Sequence, residues 1–382
     1  MSTPSPPPAR TDTVIVGMSG GVDSAVAALL LQQQGLNVEG LFMSNWEGDD
    51  DEYCTSAEDF QDARRVCDAL GIPLHRVSFA AEYRERVFAH FLREYSAGRT
   101  PNPDVLCNRE IKFGVCFDYM HRLGASSVAT GHYARLRRSD RGTLLMKAAD
   151  PAKDQSYFLH GVEPHALDQT RFPLGELHKD EVRRRAHAAG LSVFDKPDST
   201  GICFIGERPF QDFLSRYISA AVGPIEDAEG KVIGTHRGLS FYTLGQRSGL
   251  GLGGRAGAAE APWYVAIKDL PRNALVVVQE HDHPLLMSDC FEVEELRWLN
   301  GLGSPAANAD FDCTVKTRYR QKDLGCRVRY LGGGRAQIRL HHPARAVTPG
   351  QYAVFYDGEV CLGGGVIAQP QKARAELDRQ VV

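Results

Sequence analysis

The chain has 382 residues, of which 43% are hydrophobic and 24% charged, and its formal net charge at pH 7 is −4. This composition is typical of a globular protein with two or three domains, and the negative balance argues against a general affinity for nucleic acid or anionic membranes. Nine cysteines without a CxxC pair exclude a disulfide scaffold and a tetrahedral zinc pattern. No apolar run is long enough to span a bilayer. We therefore expect a cytoplasmic protein with mostly free thiols and no membrane association.

The N-terminal part of the chain alternates between short apolar runs and helical patterns. The leading segment MSTPSPPPAR is rich in Pro and Ser and predicts a disordered tail over residues 1–12. The predicted elements that follow are strands at 13–16, 38–43 and 74–79 and helices at 24–34 and 57–70. This alternation predicts an α/β fold with a doubly wound parallel sheet and right-handed crossovers.

The pattern changes twice further along the chain. Helices at 83–95 and 109–123 and a strand at 127–130 continue the α/β pattern. A helix and Gly-rich turns then indicate a small central α+β domain, and short alternating runs from residue 290 onward predict a C-terminal β-barrel. The expected divisions are an α/β domain at 13–206, a central domain at 207–285, a barrel at 286–370 and a tail at 371–382.

The segment SGGVDS, residues 19–24, lies between the first predicted strand and the first predicted helix. Its glycines free backbone N–H groups to surround an anion, and the helix N-terminus adds partial positive charge. The lysine of a Walker A loop is absent, and Asp23 stands where that charge is expected, which suits an acid that helps hold Mg²⁺ beside phosphates. The alternative is an ordinary Gly-rich turn. The motif resembles the PP-loop of ATP pyrophosphatases, which cleave ATP between the α- and β-phosphates and adenylate an oxygen of their substrate.

Two cysteines follow turn-rich stretches and are candidates for reactive thiols. Cys107, in NPDVLCNREIKF, is expected just ahead of a helix whose first turn holds Arg109 and Lys112, and both features favour the thiolate. Cys203 lies in DSTGICFIGERPF. If the two thiols meet, they can form a disulfide and support sulfur transfer. The remaining cysteines are interpreted as buried apolar residues or, for the first, as incidental in an acidic stretch: Cys54, Cys67, Cys116, Cys290, Cys313, Cys326 and Cys361.

Linked motifs in one order carry a closer resemblance. They are SGGVDS, RTPNPDVLCNREIKF, ATGHYA, KDQSYFL, DSTGICFIGERPFQDFL, TLGQR, KTRYRQ and GQYAVFY. From about residue 13 to about residue 365 the chain resembles the tRNA-specific 2-thiouridylases, which thiolate the wobble uridine of tRNA with ATP. The resemblance implies adenylation of the uracil 2-oxygen followed by sulfur transfer in the acceptor tRNAs for Lys, Glu and Gln. It also implies ATP with Mg²⁺, a sulfur-donor relay protein that supplies the persulfide, the tRNA anticodon loop as a partner, and a monomer.

The same resemblance assigns roles to individual residues. Cys107 is the nucleophile, Cys203 carries the persulfide, Asp104 is the acid/base, and a Cys107–Cys203 disulfide remains after transfer. The implied ATP contacts are Gly17, Met18, Ser19, Gly20, Gly21, Val22, Asp23 and Ser24, with Met43 and Gly131 at the adenosine. The implied contacts with the target base and tRNA are Asn102, Pro103, Asp104, Lys153, Asp154, Gln155, Arg318 and Tyr319. Direct persulfide attack and released hydrosulfide both remain open.

The C-terminal strands carry a local excess of positive charge. Residues 311–345 hold nine Lys or Arg against two acids, with Tyr319 and Tyr330 interleaved, which is typical of an RNA-binding face. A solvated strand face is the alternative, and the same choice applies to Arg183, Arg184 and Arg185 on a helix. His132 and His160 are interpreted as structural, because no second metal-type ligand stands at a usable spacing.

Two other classes of function are compatible with part of these patterns. An adenylating enzyme acting on a small molecule explains SGGVDS but leaves both Cys segments and the basic strands without a role. A non-catalytic nucleotide-binding RNA partner predicts that neither Cys107 nor Cys203 matters to function.

Overall fold

The computed structural model describes residues 12–46, 56–140, 142–198, 210–252, 261–299 and 305–372. The elements up to residue 198 are β1 (Thr13–Gly17), α1 (Val22–Gln33), β2 (Asn37–Ser44), α2 (Ser56–Leu70), β3 (Leu74–Ser78), α3 (Ala80–Tyr83), α4 (Ala89–Ser96), α5 (Pro103–Leu106), α6 (Cys116–Arg122), β4 (Ser127–Ala129), β5 (Arg135–Ser139), β6 (Gly142–Met146), α7 (Ser156–Leu159), α8 (Pro164–Asp168), β7 (Thr170–Arg171) and α9 (Lys179–Ala188). Two π-helical stretches join neighbouring helices: Arg84–Phe88 between α3 and α4, and Cys107–Val115 between α5 and α6.

The predicted parallel sheet is confirmed. Its strand order is β3-β2-β1-β4-β7, with every neighbouring pair parallel. Alternate residues of β1 enter different cores, because side chains along a strand point to opposite faces. Ile15 packs in the core that contains Phe91 and Phe117, whereas Val14 and Val16 pack in the core formed with α1, α2 and α9. Helices therefore cover both faces of a doubly wound sheet.

The helix predicted at 109–123 begins earlier than expected. The helical segment starts at Pro103 and reaches Arg122, with a kink at Gly114 near the end of the π-helical stretch, where the backbone is not helical. Asn102 is the N-cap, and its Oδ1 accepts a hydrogen bond from the backbone N–H of Asp104 at 3.2 Å. Asn at the N-cap followed by Pro at N1 is a helix-start signal, so the apparent turn residues belong to the helix itself.

A small sheet follows in the middle of the chain. It comprises β8 (Gly223–Glu226), β9 (Val232–His236), β10 (Tyr264–Asp269) and β11 (Ala274–Val278), and the helix α10 (Phe210–Ser215) precedes it in the chain. The strand order is β10-β11-β8-β9, in which only β11 and β8 are parallel. Its own apolar cluster includes Ile225, Val265 and Leu275, all fully buried. The expected α+β architecture is therefore present.

The C-terminal strands form a closed barrel, as predicted. They are β12 (Met287–Trp298), β13 (Asp310–Lys316), β14 (Leu324–Gly332), β15 (Arg335–Arg345), β16 (Tyr352–Asp357) and β17 (Val360–Lys372). The order β12-β15-β14-β13-β16-β17 closes through an antiparallel pairing of β12 with β17. The hairpin β5–β6 extends this sheet through the pair Val360 and Met146. This pairing was not predicted, and it joins the α/β part of the chain to the barrel.

Candidate nucleotide and RNA site

The predicted phosphate loop lies at the carboxyl end of β1, where open parallel sheets bind ligands. Hydroxyl groups organise it: the Ser24 hydroxyl donates to the Gly21 carbonyl at 3.1 Å and accepts from the Ser19 backbone N–H at 3.1 Å. Gly21 is the N-cap of α1 and supplies no side-chain cap. The N–H groups of the first helical turn lack intrahelical partners and are suited to bind an anion.

Two glycines of this region are required by close packing. Gly20 has φ +77°, and a Cβ there would lie 2.3 Å from the carbonyl oxygen of Asp59. A Cβ on Gly131 would lie 2.7 Å from the carbonyl carbon of Asp23 and 2.8 Å from the Ser24 nitrogen. Any larger residue would push the loop or the start of α1 out of place. The segment that follows β4 therefore packs directly on the start of α1.

Asp23 is surrounded by donors from distant parts of the chain. The Lys179 Nζ lies 2.7 Å from Asp23 Oδ1 and 2.8 Å from Oδ2, and the Tyr133 hydroxyl donates to Oδ1 at 2.8 Å. Burial, and then the Asp23 carboxylate, raise the pKa of the Tyr133 phenol, so this hydroxyl stays protonated and donates. The acid predicted to stand beside the phosphates is thus held in a fixed orientation.

Asp198 joins this cluster from the far side of Lys179. Its carboxylate lies 2.7 Å from the Lys179 Nζ, 2.6 Å from the Lys153 Nζ and 3.2 Å from Arg183. Partial burial acts to raise the pKa of Asp198, but hydrogen bonds from Lys153 and Lys179 outweigh it and bring the pKa to about 2. A chain of alternating charges therefore runs from Asp23 through Lys179 and Asp198 to Lys153.

Lys196 supports the opposite side of the loop. Its Nζ donates to the Gly20 carbonyl at 3.1 Å and lies 2.7 Å from Asp59 and 2.6 Å from Asp62. Partial burial opposes the charged form, yet the hydrogen bonds that Lys196 donates to the two carboxylates raise its pKa. Lys196 thereby ties the phosphate loop to α2.

Residues 153–155 stand between the phosphate loop and the barrel. The backbone N–H of Tyr133 donates to Gln155 Oε1 at 2.9 Å, and the Gln155 N–H donates to the Tyr133 carbonyl at 2.8 Å. Asp154 is buried, and its carboxylate accepts from the N–H groups of Ala148 and Ser156 and lies 3.5 Å from the Lys316 Nζ of the barrel. The carboxylate of Asp154 is therefore engaged inside the protein, and its contact with tRNA stays a prediction.

Cys107 is fully buried at the start of the π-helical stretch. It lies one turn inside the helix and not ahead of it, so the expected position at a helix N-terminus is wrong in this detail. The Arg109 Nε donates to Glu110 at 2.8 Å, which pairs the nearer predicted cation with an acid. The next residue, Asn108, donates from Nδ2 to the Phe158 carbonyl at 3.1 Å, which links this helix to α7.

Tyr319 of the barrel contacts Phe158 from the other side. Its ring centroid lies 4.4 Å from that of Phe158, and the exposed Arg320 guanidinium lies 5.4 Å from the centroid of the Tyr319 ring. Arg318 points elsewhere: one guanidinium nitrogen donates to the carbonyls of Leu244 and Ala346 at 2.9 and 2.6 Å. Burial lowers the pKa of Arg318. Arg318 thus joins the central sheet region to the barrel, and its contact with tRNA stays a prediction.

Several other predicted positions have simple placements. Met43 is half-buried in β2 opposite Val77 of β3. His132 and His160 are buried and bonded locally, to Thr130 Oγ1 and the Tyr157 carbonyl, and burial lowers the pKa of both, that of His160 to about 4. Arg184 and Arg185 pair with Glu181. Cys203 and Cys54 lie outside the described residues.

Four of the nine predicted basic residues are exposed on the outer face of β14 and β15: Arg327, Arg329, Arg335 and Arg339. Lys316, Arg318 and Arg345 are not exposed. Arg327 lies 3.7 Å from Asp310 and 3.8 Å from Asp312, and Arg329 lies 3.4 Å from Asp310. Arg339 stands opposite Arg327 in the register of β14 and β15. These are loose surface pairs, so the face keeps positive groups available to an anionic partner.

Asn45 was missed at the sequence level. It directly follows β2, at the carboxyl edge of the sheet, and it is 1% exposed. Within the described part of the chain, neither its Nδ2 nor its Oδ1 has a hydrogen-bond partner. Buried amides are normally satisfied, so this position suits a polar ligand group that would complete the pairing. Lys179 and Lys196 were also missed, because neither stands in a motif.

Two kinds of feature are absent from the described part of the chain. Over residues 12–372, with the gaps given above, no cluster of three or more His, Cys, Asp or Glu side chains could hold a metal ion. None of the helices in those same ranges has the length and apolar character needed to cross a membrane.

The fold is that of an α/β protein with a glycine-containing loop after its first strand, and comparisons with known proteins give the family. Three family models match in order: the tRNA methyl transferase HUP domain at residues 12–207, the tRNA methyl transferase PRC-barrel domain at 211–279, and the aminomethyltransferase beta-barrel domain at 288–367. These descriptions mention methyl transfer, whereas the full-length relatives are named for thiolation.

The tRNA-specific 2-thiouridylase MnmA of Verminephrobacter eiseniae is 59% identical over 367 residues, covering 93% of this chain and 98% of the relative. That of Methylococcus capsulatus is 56% identical over 366 residues, covering 96% and 98%. The chain belongs to the tRNA-specific 2-thiouridylase family. Among solved structures, NMN synthetase from Francisella tularensis covers 55% of this chain and 80% of its own at 20% identity and a TM-score of 0.30, which is too remote to support an argument.

Proposed function

We propose that this protein uses ATP to replace the 2-oxygen of the wobble uridine of tRNA with sulfur. Family membership over more than nine-tenths of the chain supports the reaction class. The observation that carries the proposal is the position of residues 153–155. They are bonded to the phosphate-loop cluster through Tyr133 and Asp198, and they approach the barrel through Lys316. One RNA segment lying along residues 153–155, between the phosphate loop and the barrel, would meet both the nucleotide and the Cys107 helix.

The first step is activation of the base. The 2-carbonyl of uracil is a poor electrophile, and adenylation converts its oxygen into a phosphate leaving group. We assign the phosphates to the loop from Gly17 to Ser24 and the adenosine to Met43 and Gly131. Asp23 would contribute a carboxylate to Mg²⁺, which binds mainly through phosphates and water. Asn102, Pro103 and Asp104 would hold the base, and the Asp104 carboxylate would accept the N3 proton. The uracil oxygen would attack the α-phosphorus as pyrophosphate leaves.

The second step delivers sulfur through two cysteines. A relay protein loads Cys203 with a persulfide. In one route the terminal sulfur adds to C2, AMP leaves, and the Cys107 thiolate then attacks the Cys203 sulfur and releases the thiolated base. In the other, Cys107 attacks first and releases hydrosulfide, which adds to C2 as AMP leaves. Both routes end with a Cys107–Cys203 disulfide that an external thiol reduces, and Asp104 returns its proton to N3.

We choose the tRNA contacts among the predicted residues by asking which of their side chains are still accessible to RNA. Lys153, Gln155 and Tyr319 are half-buried and line the region between α7 and the barrel. We propose that they contact the anticodon loop, with the Tyr319 ring as a stacking surface. Asp154 and Arg318 would act by fixing the segments that carry these residues. The acceptors would be the tRNAs for Lys, Glu and Gln, and the protein would act as a monomer in the cytoplasm.

Thiolation of tRNA in vitro tests the proposal. Nucleosides from tRNA incubated with the protein, ATP, Mg²⁺ and a sulfide source should contain 2-thiouridine by mass spectrometry. Cys107→Ser should reduce the product at least about 1,000-fold, as expected when a nucleophile is removed. Cys116→Ser is the matched control, because Cys116 is buried in the same helical segment and burial raises its pKa to about 12. Wild-type-like thiolation by Cys107→Ser would remove the proposed chemistry.

The same assay separates the two other classes of function. Replacing Cys203 by Ser should abolish product formation while ATP binding persists. An adenylating enzyme that acts on a small molecule would release pyrophosphate without tRNA and form no 2-thiouridine. A non-catalytic RNA partner would bind tRNA and ATP and form neither product.

A further inference from the structure

We propose that Lys179 supplies the phosphate-binding cation that the SGGVDS loop lacks, by contacting the β- and γ-phosphates of ATP and the pyrophosphate that leaves. This inference rests on the proposed function for its substrate. The loop itself contains no lysine. Lys179 is 156 residues from Asp23 in sequence, yet its Nζ is within 2.8 Å of both Asp23 carboxylate oxygens.

The fold fixes the position of this ammonium group. Lys179 is the first residue of α9, and its backbone N–H donates to Asp150 Oδ2 at 3.0 Å. Val182 and Ala186, further along the same helix, are fully buried in the core that α1 shares. The helix is therefore anchored at its first residue and along its buried face. The side chain of Lys179 is only 10% exposed, so its charge acts in a poorly solvated site.

The partners of Lys179 suit exchange with a polyphosphate. Its Nζ is shared between Asp23 and Asp198, and Asp198 keeps Lys153 and Arg183 if Lys179 moves away. Asp23 keeps the Tyr133 hydroxyl and becomes available to Mg²⁺. Binding of MgATP can thus redistribute these contacts without leaving either acid unpaired. Lys196 is less suited, because its Nζ is held by Gly20, Asp59 and Asp62.

The chemical step explains why a cation is useful at this position. The uracil 2-oxygen forms a bond to the α-phosphorus, and the bond from that phosphorus to the α–β bridging oxygen breaks. The electron pair of that bond stays on the departing pyrophosphate. A fixed ammonium group near this oxygen stabilises the charge as it develops. AMP carries none of the atoms that receive this charge.

Equilibrium binding of AMP, MgATP and magnesium pyrophosphate to the full-length protein tests the inference. Lys179→Met should weaken MgATP and pyrophosphate binding about 10- to 100-fold, the range for one charge-assisted hydrogen bond, and change AMP binding less than about 3-fold. Arg183→Gln is the matched control, because Arg183 contacts Asp198 from the same helix without contacting Asp23. It should leave all three affinities within about 3-fold. Equal weakening of AMP and MgATP by Lys179→Met would overturn the inference.

A second comparison separates phosphate contact from mere neutralisation of Asp23. In the Asp23→Asn background, Lys179→Met should still weaken pyrophosphate binding about 10-fold or more. No further loss in that background would show that Lys179 only offsets the Asp23 charge, and would overturn the proposal. Lys179→Arg keeps the charge and should retain selectivity for ATP over AMP, which preserves the test if the Met variant unfolds. Because tRNA is absent from these measurements, failure here is distinguishable from failure of wild-type thiolation.

Discussion

The two charged regions of the molecule are built in different ways. Around the phosphate loop, acids and bases come from segments far apart in sequence and make short, partly buried contacts, as between Asp23 and Lys179 at 2.7 Å. On the outer face of the barrel, acids and bases stand on neighbouring strands at 3.4 to 3.8 Å and are mostly exposed, as in Arg327 and Asp312, which are 56% and 61% exposed.

This difference teaches what each kind of charge can do. Partly buried pairs are weakly screened and lose much when one partner is removed, so they fix the orientation of groups. Exposed pairs contribute about 0–1 kcal/mol and are screened by salt, so they act mainly through the summed potential that meets an anionic partner. We therefore expect substitutions near the loop to change chemistry, and substitutions on the barrel face to change the salt dependence of RNA binding.

The largest expected effect is on the rate of thiolation when one acid is replaced in each region. Asp23→Asn removes the charge that we assign to Mg²⁺ and that Lys179 contacts, so the rate of tRNA thiolation should fall at least about 100-fold. Asp310→Asn on the barrel should leave that rate within about 2-fold, because Asp310 only pairs loosely with Arg327 and Arg329. Single-turnover formation of 2-thiouridine is the measurement. Similar losses in the two variants would contradict the comparison.

The contact between the α/β part of the chain and the barrel should make the stability of the protein depend on pH. His160 is buried against the glycine at position 364 in β17, and burial lowers its pKa to about 4. The unfolded chain binds this proton below about pH 6.5, so stability is complete above that pH and falls by up to about 3 kcal/mol as pH falls toward 4. Urea unfolding at several pH values measures it.

The matched variants for this pH effect are His160→Asn and the exposed His165→Asn. The first should flatten the loss of stability between pH 6.5 and 4, and the second should leave it unchanged. Some acid sensitivity should persist in both, because burial also lowers the pKa of His132. An identical pH dependence in wild type and His160→Asn would refute the assignment.

Two arginines close in sequence allow a comparison of a structural role with an RNA-binding role in one segment of the barrel. Arg318→Ala leaves the Leu244 and Ala346 carbonyls without this donor and should lower the free energy of unfolding by about 2 kcal/mol. Arg320→Ala should cost less than about 0.5 kcal/mol but weaken tRNA binding, since its guanidinium is exposed beside Tyr319. Denaturant unfolding and tRNA titration measure both. A flatter salt dependence in Arg318→Ala than in Arg320→Ala would support the sequence prediction that Arg318 contacts tRNA directly.

Much of the fold was predictable because local patterns decide it. The strand at 13–16, the glycine loop and the helix after it follow from hydrophobic spacing and backbone freedom. The start of the Cys107 helix was readable in principle, since Asn102 and Pro103 form a capping signal, but the same residues also occur in turns. Local prediction therefore failed at Asn102 and Pro103, because Asn and Pro occur both at helix starts and in turns.

The remaining features depend on contacts between distant segments. Nothing near Lys179 in sequence indicates that it meets Asp23, because only the packing of α9 on α1 joins them. The hairpin β5–β6 likewise pairs with a barrel strand more than 200 residues away, at Met146 and Val360. The engaged side chains of Asp154 and Arg318 show the same limit, because a motif marks a position without fixing which way its side chain points.

The smallest expected effect concerns the barrel face itself. Arg327→Gln and Arg329→Gln each remove one exposed charge, so stability should change by less than about 0.5 kcal/mol. If each arginine contacts a phosphate, the slope of log affinity for tRNA against log salt should become shallower by up to about 0.9. Titrations of tRNA at several salt concentrations measure that slope, and Arg335→Gln at the strand turn serves as a further position on the same face. Unchanged slopes in all three variants would mean that these strands present a solvated surface, and that RNA is held by the region around Lys153 and Tyr319.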